Sequence, residues 1–160
     1  MPSIIIGVMG PGQAPDYICE TAYELGREIA RSGWVLLTGG RNSGVMDAAS
    51  RGAASAGGLT VGILPDADAR RASEAVDIPI ITGQGSARNN INVLSSHAVV
   101  ACGTGLGTVS EIVLALKLGR PVILLEFTRE TLAFLQQFNL PNLYPAGDVD
   151  EAIGLLEDLV

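Results

Sequence analysis

Basic residues are scarce in this 160-residue chain. Lys117 is its only lysine, His97 its only histidine, and nine scattered arginines form no basic run. Against 17 acidic residues this leaves a net charge of −7. Such a balance disfavours general DNA or RNA binding, which needs a cationic surface to neutralise phosphates. A small anionic ligand stays within reach, because backbone amides and one or two arginines suffice for it. One histidine leaves no multi-histidine metal site; His97 itself reads as a helix-end or turn residue, so no Ser-His-Asp triad is expected. Cys19 and Cys102 cannot build a disulfide framework, and no Cys-x-x-Cys is present. The N-terminal residues lack the basic region of a signal peptide, and no apolar run is long enough to span a bilayer. No membrane partner is expected, and a cytoplasmic protein is the default expectation.

What is abundant is apolar residues, at 48%, and glycine, at 20 positions. At this length one domain over residues 1–160 is expected, large enough for a full core. Apolar runs at 4–9, 34–38, 60–64, 78–81, 98–101 and 122–125 read as strands. Between them, helical patterns are expected at 16–32 (capped by Asp16), 44–56, 87–95, 109–118 and 128–138, with a last one from 149 to the end. The polar segment 66–77 reads as an exposed loop. Continuous apolar strands alternating with helices are how a sheet covered on both faces looks. The predicted fold is α/β: a Rossmann-like, doubly wound, mostly parallel sheet with helices on both faces.

In such sheets ligands bind outside the C-terminal strand edge. Gly10 and Gly12, Gly39 and Gly40, and Gly44 all fall there. So does the run Gly103-Thr104-Gly105-Leu106-Gly107-Thr108, which ends a buried strand and opens a helix. A turn of this kind lets backbone N–H groups point at an anion, and Thr108 adds a hydroxyl. The bland alternative, a tight turn needing glycine for packing, is weakened by several glycine turns meeting at one edge. Glu111 is the only carboxylate of the following helix. Apolar neighbours on nearly every side predict that this helix is buried or in a subunit interface and that Glu111 is partly buried. Arg88 reads equally as a solvated arginine or a phosphate clamp. No Gly-x-x-x-x-Gly-Lys-Ser/Thr loop is present, and the first strand is not followed by Gly-x-Gly-x-x-Gly.

Gly39-Gly40, Gly44-Val45-Met46 and Gly62-Ile63-Leu64-Pro65 resemble the first block of the Lonely Guy and "lysine decarboxylase-like" proteins. Gly103 to Glu111 is similar to their signature Pro-Gly-Gly-x-Gly-Thr-x-x-Glu, and Arg88 suits the family's active-site arginine. The resemblance implies a Rossmann-like homo-oligomer, dimer or tetramer, with a nucleotide site at the C-terminal strand edge. It also implies phosphate binding by Gly105, Gly107 and Thr108, with Arg88 and Glu111 catalytic if the chain is an enzyme. The reaction would then be N-glycosidic cleavage of a cytokinin-type nucleoside 5′-monophosphate. Two positions depart from the signature: Gly103 replaces the proline and Thr104 the first glycine. The segment after Pro65 is also short. The chain is more similar to the compact molybdenum cofactor carrier-like branch, in which the same cradle implies binding without cleavage. A bound nucleotide, phosphate or molybdenum cofactor is therefore expected as ligand, with no required cofactor and no protein-held metal. Lysine decarboxylation is not expected: a pyridoxal phosphate enzyme needs a Schiff-base lysine, and Lys117 lies late in its helix. A nucleotide sensor working through an oligomer interface at 112–118 is a third alternative.

Overall fold

The computed structural model describes residues 2–160. Seven strands make one sheet: β1 (Ile5–Met9), β2 (Val35–Thr38), β3 (Thr60–Leu64), β4 (Ile78–Ile81), β5 (Ala98–Cys102), β6 (Val122–Leu125) and β7 (Leu143–Pro145). Six helices join or follow them: α1 (Asp16–Arg31), α2 (Gly44–Ser55), α3 (Arg88–Leu94), α4 (Leu106–Lys117), α5 (Arg129–Gln136) and α6 (Val149–Leu159). Every strand pair is parallel. The order is β4-β3-β2-β1-β5-β6-β7. The chain thus winds outward from β1 to β4, crosses back to β5 beside β1, and winds outward again. The reversal between β1 and β5 opens a crevice at their C-terminal ends, where doubly wound sheets bind ligands.

The apolar runs hide a period of two that serves both faces. Ile6, Val8, Val100 and Cys102 join one core cluster with α1, α2 and α6. Met9, Val99 and Ala101 join the opposite cluster with α3, α4 and α5. Gly26 and Gly52 let α1 and α2 touch backbone to backbone. A Cβ on Gly26 would stand 2.1 Å from the Ala49 carbonyl oxygen, and one on Gly52 1.9 Å from that of Tyr23.

Several expectations need correcting. β4 is exposed along its whole length, because it is the sheet's edge and no helix covers it. β7 escaped notice because it has three residues and ends on a proline. Asp16 is the first residue of α1, and Pro15 is the capping position, without a side-chain bond. The helix expected at 87–95 is α3, one residue shorter at each end and preceded by a single 3-10 turn, Gly85–Ala87. α4 begins at Leu106, three residues before the predicted start. Gly107 and Thr108 are poor helix formers, but the first turn tolerates them. Among the described residues, no helix is long and apolar enough to cross a membrane.

Candidate functional site

Three strand ends converge at the crevice. The loop after β1 contributes Gly10, Pro11, Gly12 and Gln13, the loop after β2 contributes Gly39, Arg41 and Ser43, and the turn after β5 contributes residues 105–108. Together with Arg88 and Glu111 they line a cleft of about 610 Å³, mid-range for small-molecule sites. The structure therefore brings Gly10, Gly12, Gly39, Arg88, Gly105, Leu106, Gly107, Thr108 and Glu111 to one cavity. Gly40, Gly44, Gly103 and Thr104 do not line it. Gly44 takes a left-handed φ of +56°, and a Cβ there would lie 2.2 Å from the Pro11 carbonyl oxygen. Only glycine lets α2 begin so close to the loop after β1. Gly103, at φ +80°, turns the chain out of β5 while its N–H donates to the Leu125 carbonyl at 3.0 Å.

The first turn of α4 forms one wall. Its cap position is Gly105, which offers no side chain. The helix ladder starts with the Val109 N–H on the Gly105 carbonyl at 2.8 Å. The N–H groups ahead of it, at Leu106, Gly107 and Thr108, have no carbonyl within the helix and carry the positive end of its dipole. Beside them the Thr108 hydroxyl is buried, at 2% residue exposure, and has no hydrogen-bond partner. The start of α2 is only partly open: Ser43 occupies its cap position without capping and lines the cleft, while the Val45 N–H donates to the Pro11 carbonyl at 3.1 Å.

Arg88 begins α3 and is fixed by the ends of two strands. Its Nε–H donates to the Ile63 carbonyl at 2.9 Å and Nη2 to that of Gly39 at 3.5 Å, while Nη1 donates to Asn89 Oδ1. Burial lowers its pKa and Glu111 opposes this, so the guanidinium stays charged. Glu111, 6% exposed, accepts at Oε2 from Asn92 Nδ2 at 2.8 Å. Burial pushes its carboxyl up to about 7, against the Asn92 hydrogen bond and Arg88, which both hold it down. At neutral pH this acid can therefore give or take a proton.

Sequence reasoning missed Arg41, Ser43, Arg71 and Asn92. Asn92 had a readable signal: it lies four residues after Arg88, on the same helix face. Arg41 follows Gly39-Gly40 directly, which also marks it. Arg71 lies in the irregular 66–77 segment and had none. An isolated antiparallel bridge between Arg41 and Ala72 brings that segment over the cleft. His97 sits in the turn between α3 and β5, where Nδ1 accepts from the Ile5 N–H at 3.0 Å. Lys117 ends α4, at the far end of that helix from Gly105. Among the described residues, no three His, Cys, Asp or Glu come together to hold a metal.

The SLOG cluster4 family model matches residues 3–153, nearly the whole chain. The chain belongs to this family. Solved structures include near neighbours of this chain. The molybdenum cofactor binding protein of the phototrophic bacterium Rippkaea orientalis is 52% identical, with a TM-score of 0.97 over 99% of this chain and 98% of that one. The molybdenum cofactor carrier protein of Chlamydomonas reinhardtii is 48% identical, with a TM-score of 0.94 over the same shares. A more distant relative is the cytokinin riboside 5′-monophosphate phosphoribohydrolase of Mycobacterium tuberculosis, 34% identical over 97 residues. That match spans 59% of this chain and 52% of the enzyme. The cluster4 chain thus stands within the Lonely Guy-like Rossmann superfamily and is similar, end to end, to molybdenum cofactor carriers.

Proposed function

We propose that the cleft holds a small phosphorylated ligand of nucleotide or pterin type, and that the protein carries this ligand without cleaving it. The ligand phosphate would rest on the free N–H groups of residues 106–108 and accept from the Thr108 hydroxyl. One observation carries this reading: a buried hydroxyl without a partner, beside an uncapped helix start, on the wall of a cleft. Leaving such a group unpaired costs roughly 1–3 kcal/mol, and a phosphate oxygen at that place would recover the bond. The end-to-end similarity to a molybdenum cofactor binding protein and a carrier protein supports a pterin-type cargo. With no cluster of metal-ligating side chains among the described residues, this chain would grip the cargo by its phosphate and organic part. A homo-oligomer belongs to the same reading. It is supported by Leu106, 95% exposed, and by the exposed Val113 and Leu118 of α4.

The second reading is a phosphoribohydrolase, and Glu111 favours it. A buried carboxyl near neutral pKa, with an arginine acting on it, suits acid–base work at a sugar. Incubation with AMP and modified adenine nucleotides separates the two. The carrier reading expects a ligand-dependent rise in melting temperature, lost in Thr108→Val, and no free base. Release of base that disappears in Glu111→Gln overturns it and establishes the hydrolase. Retention of stoichiometric pterin and molybdenum after mixing with the cofactor identifies the cargo.

A further inference from the structure

The charge inside the cleft runs against the charge of the chain. In a protein with 17 acids and 10 bases, Arg27, Arg31, Arg51 and Arg70 each pair with a surface acid. Three other arginines, Arg41, Arg71 and Arg88, line the cleft with a single acid, Glu111. Among the described residues neither Arg71 nor Arg88 has an ion-pair partner within bonding distance.

The wall that carries Arg41 and Arg71 is firmly built. Asp66 grips Arg41 with both oxygens, at 3.0 Å from Nε and 2.7 Å from Nη2. The Asn42 N–H donates to the Arg71 carbonyl at 2.8 Å, and the Ser73 N–H to the Gly40 carbonyl at 2.9 Å. The loop after β3 is thereby sewn to the loop after β2, and the two guanidinium groups are brought to one side of the cavity. Asp66 cancels one charge. Arg71 and Arg88, with roughly half a charge from each of the starts of α2 and α4, sum to about three positive units, and Glu111, about half ionised at neutral pH, lowers this to about two and a half. A phosphate monoester brings at most two negative ones.

We propose that Arg41 and Arg71 form a second anion station, so that the ligand carries another anionic group besides the phosphate on α4. This rests on the phosphate reading of the α4 turn and narrows its ligand class to diphosphates, bisphosphates or phosphates with a second acidic end. Arg41, with its fork held by Asp66, provides a fixed point of charge. Arg71, exposed and unpaired, is free to close on the anion with two parallel N–H bonds.

Calorimetric titration of AMP, ADP and adenosine 3′,5′-bisphosphate tests the proposal. The two longer anions distinguish adjacent from separated charges. At least one is expected to bind tenfold or more tightly than AMP, with a steeper loss on adding salt. Arg71→Ala, a change at an exposed side chain, is expected to remove most of that advantage while weakening AMP no more than about twofold. Equal affinity for all three nucleotides, or an Arg71→Ala loss that is the same for all, overturns the second station. AMP binding that depends on Thr108, without any gain from a further phosphate, sinks this inference alone. Absence of binding by all three sinks the phosphate reading with it.

Discussion

α5 opens on Thr128, whose Oγ1 accepts from the Thr131 N–H at 3.1 Å, and α6 on Asp148, whose Oδ1 accepts from the Glu151 N–H at 2.8 Å. The Gly147 N–H, one residue before the cap, also donates to Glu151 Oε2 at 2.7 Å and ties the incoming chain to the first turn. α2 and α4 open on Ser43 and Gly105, and neither side chain caps anything. α5 and α6, capped by side chains, begin away from the cleft, and α2 and α4 begin on its wall; α1 also lacks a side-chain cap, at Pro15, but begins off the cleft. The same chain thus satisfies two helix starts with its own side chains, meets that of α2 in part with the Pro11 carbonyl, and leaves that of α4 without a side-chain cap. An unsatisfied helix start has a price in stability, and at α4 it coincides with the buried, unpartnered Thr108 hydroxyl on the cleft wall, which together point to a partner supplied from outside.

The largest expected effect concerns the acid behind the open helix start. The folded-state pKa of Glu111, about 7, lies above its ordinary value of 4.5. The native carboxyl therefore holds its proton more tightly than the unfolded chain does. Its contribution to stability is fully present below about pH 4.5 and is lost as pH rises through 7. Glu111→Gln should accordingly stabilise the ligand-free protein by on the order of 3 kcal/mol at pH 8 relative to pH 4.5. Urea unfolding at the two pH values measures this, and a pH-independent difference contradicts it.

Next in size is Gly107→Val. A Cβ on Gly107 meets nothing within 4 Å, so the fold should tolerate the change while the cleft wall gains bulk. A ligand at one hundred times its Kd raises native stability by about 2.7 kcal/mol, and thermal shift should show that gain lost. Smaller again, Thr128→Ala or Asp148→Ala should cost about 1 kcal/mol and leave ligand binding unchanged. The smallest effect is expected from Ser43→Ala: within a few tenths of a kcal/mol, since no cap is lost. A full cap-sized loss at Ser43, read by denaturant midpoint, would erase the contrast between the two kinds of helix start.

The alternation of apolar runs with helical patterns was enough to reach a doubly wound sheet, because buried parallel strands and short turns both leave marks in composition. β3, β4 and β6 run between their expected ends, whereas β7 was invisible: three residues ending on a proline carry no period. The glycine run gave the place of the site but not its anatomy. Gly103 turns the strand, Gly105 occupies the cap and Gly107 lies inside α4, three roles that look alike in one dimension. Glu111 could be read as buried from its apolar neighbours. Its coupling to Asn92 needed two helices, and Arg71 needed the Arg41–Ala72 bridge, a contact between loops about 30 residues apart that no local pattern encodes.

The outer rim of β4 has a consequence of a different kind. Ile78, Ile80 and Ile81 are large, apolar and exposed on an edge strand, the profile of a template on which foreign chains stack into aggregates. Pro79 stands among them, paired to Gly62 of β3. A proline on a border strand offers no N–H to a newcomer and breaks the ladder that stacking would require. That one ring lets this molecule keep a greasy margin open to solvent without inviting an eighth strand.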